Sequence, residues 1–383
     1  MEHFITKVRI DKMRHLENID IVLLDDERRH LLLTGKNGSG KTSLLEALSE
    51  CLRASVMDKK INPRQVFDTE KYLRDVANNG VKIEFNSDKD LEQIFSTGDF
   101  ILAYFPANRK ANISLAKGVE DVKFENNYDI AKDPAQNLVK YMVHLKTQQS
   151  YARTENDPKV EKDIQKWFNR FEKALKILLE DKTIKLEYDY KKYNFLIHQA
   201  GRLPFGFNGL SDGYSSVIQI MSGIMLRMEQ NWLLKGTLNN YNFEGIVLID
   251  ELETHLHIEL QRKILPFLTT FFPRIQFIIS THSPYILTSI SNTTIFDLEK
   301  KVTFNDMSNY SIDNVAEAYF DCEDYSISLE QKLLEYKSLL KKSDPTEEER
   351  ISRAELRTEL KNINSTLSSR IKSEFEELEA RRK

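Results

Sequence analysis

The stretch GKNGSGKTS, residues 35–43, lies directly behind the apolar run His30-Leu31-Leu32-Leu33-Thr34 and constrains the fold more than any other part of the chain. Gly35, Gly40, Lys41 and Thr42 satisfy the spacing G-x-x-x-x-G-K-[ST]. Glycines let a backbone close tightly around phosphates, so that consecutive N–H groups across Gly35, Lys36, Asn37, Gly38, Ser39 and Gly40 point inward. Lys41 adds a point charge for the β- and γ-phosphates, and the Thr42 hydroxyl, followed by Ser43, can ligate Mg²⁺. A helix from about Thr42 to Arg53 aims the positive end of its dipole at the same anion. Strand, loop and helix in this order predict an α/β nucleotide-binding fold rather than a plain glycine-rich turn.

Three later stretches complete the expected site. GIVLIDELETHLH (245–257) is an apolar strand ending in paired carboxylates. Asp250, at the carboxyl end, is placed to hold Mg²⁺ through water, and Glu251 to polarise an attacking water. FIISTHSP (277–284) is a second buried strand, ending at His282, whose neutral imidazole can reach the γ-phosphate or that water. A protease relay through Thr281-His282-Ser283 fails, because adjacent residues cannot form one and there is no nucleophile elbow. His255-x-His257 lacks further ligands for a metal. LSDGYSS (210–216), just ahead of a helix, forms a second anion site through Ser211 and the backbone opened by Gly213. One ATP has one γ-phosphate, so two anion sites suggest a composite arrangement between subunits.

The remainder bounds the class. At 383 residues the chain can bury a substantial core, and its net charge of −4 carries no global nucleic-acid signature. Cys51 and Cys322 have no metal-type spacing and suit a reducing, cytoplasmic setting. There is no apolar run of membrane length and no signal-peptide pattern at MEHFITKVRI, so no membrane partner is expected. Strands are expected at 4–10, 19–24, 81–85 and 100–105, a helical insert at about 134–181, and a hairpin at 184–199. A helix should run from Gly213 to about Leu234, with strands at 245–250 and 276–280 around a helix from about Ile258.

From Ser326 onward there is no glycine, and Leu329, Leu333, Tyr336 and Leu340, then Leu356, Leu360, Ile363, Leu367, Ile371, Phe375 and Leu378, repeat at three and four. Ser343-Asp344-Pro345-Thr346-Glu347 supplies helix-start signals between the two series. The expectation is an ATPase domain over 1–324 and a C-terminal helical pair over 325–383. That pair either packs on its own domain or forms a partner or oligomer interface.

Taken together, phosphate loop, LSxG-type signature, acidic strand and switch histidine resemble the ATP-binding-cassette (ABC) ATPases, in the soluble branch that includes RecF and the SMC proteins. IDKMRHLENIDIVL looks like the RecF-type opening strand pair, with Arg14 near nucleotide. The resemblance implies a P-loop ABC-type fold with a β-rich N-terminal part, ATP and Mg²⁺ as cofactors, and at least a dimer stacked head to tail. Ser211 and Gly213 would then act in trans. Within the branch, LSDGYSS, DELETHLH and STHSP are most like the AAA-type ATPases of bacterial antiphage systems, namely the OLD nucleases and the Septu and PARIS ATPase subunits. Asp212 and His257 depart from the usual signature and D-loop, and Pro106-Ala107-Asn108-Arg109 stands where the Q-loop glutamine belongs. The implied function is an ATP-hydrolysing defence subunit that controls a separate effector such as a nuclease, triggered by nucleic acid or a phage component. The alternatives are a RecF-like repair or chromosome-maintenance ATPase and, further off, a transporter subunit.

Overall fold

The structure, a computed structural model, describes residues 2–24, 26–56, 76, 79–109, 113–120, 128–235, 242–312, 315, 327–342, 345–361 and 369–380. Its contacts divide the chain into two units, Met1–Ile312 and Asp313–Lys383. The division falls ahead of the boundary expected at 324.

The larger unit is built on a six-stranded sheet. Its strands are β3 (His30–Thr34), β5 (Phe100–Phe105), β8 (Glu244–Ile249), β9 (Ile275–Ser280), β10 (Thr293–Asp297) and β11 (Val302–Asn305), in the order β11-β10-β3-β9-β8-β5. All neighbours are parallel except β10 and β11. HLLLT, IQFIIS and TTIFD are buried at every position. Such runs suit a parallel sheet covered on both faces, where no side of the strand meets water.

A second, antiparallel sheet pairs β1 (Ile5–Met13) with both β2 (Leu16–Val22) and β4 (Val81–Phe85). The β1–β2 turn is only Arg14-His15, since Met13 pairs with Leu16. Arg14 takes φ 52°, a left-handed conformation usually left to glycine or asparagine. The opening strands are therefore longer than 4–10 and 19–24. Helix α1 (Lys41–Ser55) lies between the sheets; its Leu44, Leu45, Leu48 and Leu52 are fully buried in one core with Val8, Ile10, Leu31 and Leu248.

After a short helix α2 (Leu91–Ser96), the insert expected at 134–181 contains α3 (Leu138–Thr154) and α4 (Pro158–Leu178). The polar break between them is a cap: Asp157 accepts from the N–H groups of Lys159 and Val160, with Pro158 in the first turn. The β6 (Lys185–Asp189) and β7 (Asn194–His198) hairpin follows, then α5 (Asp212–Lys235), α6 (Ile258–Phe271) and α7 (Pro284–Leu287). Glu229 of α5, 2% exposed, accepts from Tyr141 Oη and Trp167 Nε1, both at 2.8 Å, and so binds the insert to α5. A buried carboxylate is tolerable only with such donors.

The smaller unit corrects the expected helical pair. Its described residues form three helices, α8 (Ile327–Leu340), α9 (Glu347–Lys361) and α10 (Ser369–Ala380). Leu333, Tyr336, Leu339, Leu356, Leu360 and Phe375 bury one another. The stripes thus find cover inside the tail, because what reads as one long second helix is divided between α9 and α10. Thr346 and Glu349 form a reciprocal cap at the start of α9. Of the residues expected in the stripes, Ile363 and Leu367 lie outside the described residues, as do Cys322 and the candidate caps Ser343 and Asp344. Among the described residues no helix is long and apolar enough to cross a membrane.

Candidate nucleotide site

β3 delivers Thr34 into the loop, and Gly35, Gly38 and Gly40 turn it with φ of 125°, 83° and 101°. At Gly40 a Cβ would come within 3.0 Å of Leu16 Cδ1, so the turn is also pressed against the small sheet. No side chain caps α1, which leaves its first N–H groups facing the loop's concavity. Lys41 lies across that concavity, its Nζ donating to the carbonyls of Gly35 at 2.7 Å and Lys36 at 3.1 Å. Burial lowers the Lys41 pKa, while Glu251, Glu253, Asp250 and Asp297 pull it back up.

A cavity of about 210 Å³ opens over this loop. Asn37, Gly38, Gly40, Lys41, Thr42 and Ser43 line it from the loop side, and Glu251, Arg14 and His15 from elsewhere. Arg14 and His15 arrive there because the β1–β2 turn is so short, and His15 Nε2 sits 3.2 Å from the Ser39 carbonyl. Gly35, Lys36 and Ser39 shape the loop behind that wall, with Lys36 N–H donating to Glu299 at 3.3 Å.

Asp250 stands at the end of β8, 1% exposed. Its Oδ2 accepts from Thr42 Oγ1 at 2.9 Å and its Oδ1 from Ser280 Oγ. A hydroxyl and a carboxylate held together are the hard oxygen donors that Mg²⁺ prefers, so these two residues fit that ion. Glu251 has φ 44°, and its N–H donates to Ser280 Oγ at 2.7 Å. A non-glycine residue there costs on the order of 1–3 kcal/mol and persists only where its surroundings fix it.

His282 follows β9. Burial first, then the nearby Lys41 charge, lowers its pKa, so the ring is neutral at pH 7. Its backbone N–H donates to the Glu253 carboxylate, whose pKa burial raises. His282 Nε2 is buried with no hydrogen-bond partner among the described residues, a group left for a ligand or water.

Ser211 and Gly213 do not line this cavity. Ser211 is exposed before α5, whereas Gly213 is buried where a Cβ would lie 2.4 Å from the His255 carbonyl. Gly213 is therefore required sterically within its own chain, a reason that no motif reading supplies. His257 caps α6, its Nδ1 accepting from Leu260 N–H at 3.2 Å.

Sequence reasoning missed two residues. Ser280 bridges Asp250 and Glu251, and a serine closing a buried strand beside acids was a readable signal. Arg109, in the segment that stands at the Q-loop position, is buried against the carbonyls that follow β8, a set of partners its letters did not announce.

The family described as "AAA domain, putative AbiEii toxin, Type IV TA system" matches residues 31–288, from β3 through α7. The chain belongs to this AAA family. Its fold is α/β, with a mostly parallel sheet and an antiparallel one flanking the helix that follows the phosphate loop. This AAA chain is 28% identical over 295 residues to the Septu protein PtuA of Bacillus mycoides (strain KBAB4), covering 75% of the chain and 39% of that relative. It is 45% identical over 87 residues to the retron Vc95 "probable ATPase" of Vibrio cholerae serotype O1 biovar El Tor, covering 22% of the chain and 16% of that relative. The chain thus spans well under half the length of either relative. An SMC head bound to the C-terminal winged-helix domain of ScpA aligns over 78% of the chain and 96% of its own, at 11% identity and a TM-score of 0.42.

Proposed function

We propose that the chain is an ATP-binding and ATP-hydrolysing subunit of a bacterial antiphage defence complex. In this reading it dimerises head to tail around ATP and controls a separate effector such as a nuclease. The observation that carries the ATPase half is the convergence on one cavity of Lys41, Thr42 and Glu251, with Asp250 bonded to the Thr42 hydroxyl behind that wall. The similarity to PtuA over three quarters of the chain supports the defence setting over the repair alternative.

The loop N–H groups and Lys41 bind and orient the phosphates. Thr42 and Asp250 would hold Mg²⁺, which neutralises charge on the β- and γ-oxygens. Glu251 orients the attacking water and accepts its proton, and the neutral His282 ring meets the γ-phosphate or the same water. Ser211, exposed ahead of α5, contacts the γ-phosphate of the ATP held by the opposite subunit.

The test uses the full chain. Lys41→Ala should abolish measurable nucleotide binding, whereas Glu251→Gln should bind ATP and fail to turn it over. Mixing Lys41→Ala with Ser211→Arg should recover hydrolysis, because each mixed dimer rebuilds one intact composite site. Wild-type turnover in Glu251→Gln would remove that residue from the mechanism, and no recovery in verified mixed dimers would count against action in trans. Co-purification with a nuclease, a repair factor or a membrane protein distinguishes the defence reading from its alternatives.

A further inference from the structure

Arg109 lies four residues beyond the end of β5 and is 5% exposed. A guanidinium presents five N–H donors in one rigid plane. Here Nε donates to Ser216 Oγ at 2.8 Å, in the early part of α5. Nη1 donates to the carbonyls of Pro106, at 3.1 Å, and Asp250. Nη2 donates to the carbonyls of Glu251 at 2.7 Å and Leu252 at 3.2 Å. One edge of the plane therefore holds the helix that begins at the signature motif. The other holds three consecutive peptide groups around Glu251.

That grip matters because of the backbone it holds. Glu251 is left-handed, and its backbone is held by its N–H donating to Ser280 Oγ and by its carbonyl accepting from both Arg109 Nη2 and the Thr254 N–H. Arg227 provides the contrast. It too is buried and donates to carbonyls, including those of Leu102 at 3.0 Å and Gly223 at 3.1 Å, but none of its partners belongs to the cavity or to the Glu251 turn.

The geometry points to Arg109 as the positioning residue that couples the start of α5 to the placement of the Glu251 carboxylate. The inference rests on the proposed roles of Glu251 and of the signature motif. An anion drawn onto Ser211 shifts the first turns of α5. Ser216 carries that shift to the guanidinium, and the guanidinium carries it to the carbonyls on either side of Glu251. A lysine, whose three donors share one compact ammonium on a flexible stem, cannot hold both edges at once.

The experiment compares full-length Arg109→Lys, Ser216→Ala and Arg227→Lys with the wild type. Each is measured for equilibrium ATP binding, for kcat and KM with Mg²⁺ and ATP, and for melting temperature. Arg109→Lys should bind ATP within about threefold of wild type with KM unchanged, while kcat falls about 30-fold or more. Ser216→Ala, which removes only the helix-side bond, should lower kcat by about three- to tenfold while ATP binding stays unchanged. Arg227→Lys should lower the melting temperature and keep its kcat. Wild-type kcat in Arg109→Lys would overturn the inference. So would a kcat loss in Arg227→Lys that matches that of Arg109→Lys at equal loss of melting temperature. If Arg109→Lys does not fold, an unchanged kcat in Ser216→Ala overturns it alone. A wild-type chain that does not hydrolyse ATP would instead refute the underlying ATPase reading.

Discussion

Ser280 is the residue whose removal should most cleanly separate the framework of the site from its chemistry. It is fully buried, donates to Asp250 and accepts from the Glu251 N–H. Ser280→Ala deletes both bonds and leaves the backbone able to stay as it is. The charged bond to Asp250 accounts for about 1.5–3 kcal/mol, and the Glu251 N–H, only partly buried, for about 1 kcal/mol more. A loss of about 3 kcal/mol in a unit of this size should lower the melting temperature by about 6 °C, at roughly 2 °C per kcal/mol. Asp250 keeps its bond from Thr42, so ATP binding should survive. Glu251 loses the bond its N–H makes and keeps only those to its carbonyl, from Arg109 and the Thr254 N–H, and misplacement on the ångström scale lowers kcat by about 10- to 100-fold. Thermal melting without nucleotide and steady-state phosphate release at saturating ATP read the two effects. Melting within about 1 °C of wild type together with unchanged turnover would refute the bridging role of Ser280.

Two further outcomes test the framework. His30 is buried at the start of β3, where Nδ1 accepts from the Phe277 N–H at 3.1 Å, and burial, then Arg28, lowers its pKa from 6.5 to about 3. Because the folded-state pKa is depressed, its contribution to stability is intact above pH 6.5 and is lost as pH falls toward 3, at up to about 1.4 kcal/mol per pH unit. His30→Gln should flatten that acid slope in pH-dependent melting, and an unchanged slope would remove His30 as its source. Deleting 313–383 should leave ATP affinity unchanged while reducing oligomer size or effector capture, read by equilibrium binding and light scattering. Loss of nucleotide binding would make the tail part of the ATPase core.

The site's framework was legible because it is written locally. GKNGSGKTS follows its strand, and Asp250, Glu251 and His282 each sit at the end of an apolar run, so sequence position alone puts them at the carboxyl ends of parallel strands. Arg109 was illegible because its partners lie far along the chain and are mostly main-chain carbonyls, which leave no mark in the residue letters. β10 and β11 went unseen since TTIFD and VTFN are too short to show a period, and what fixes them is pairing, β10 on the distant β3 and β11 on β10. The Arg14-His15 turn has neither glycine nor asparagine, and this hid the full length of β1. In the tail, an unbroken repeat without glycine or proline read as one helix instead of two.

The strand order has a consequence for synthesis. β3, which carries the phosphate loop, is made before β5 and β8, yet its partners in the sheet among the described residues are β9 and β10, which are made after both. Pairing of that kind must wait for distant sequence and closes slowly. A ribosome-bound chain therefore carries the loop without Asp250, Glu251 or Ser280 beside it until β8 and β9 are made. Until β9 docks, β3 is also an exposed apolar edge, open to other chains. Cells making this protein would then face their greatest aggregation risk in the interval between translation of the loop and translation of His282.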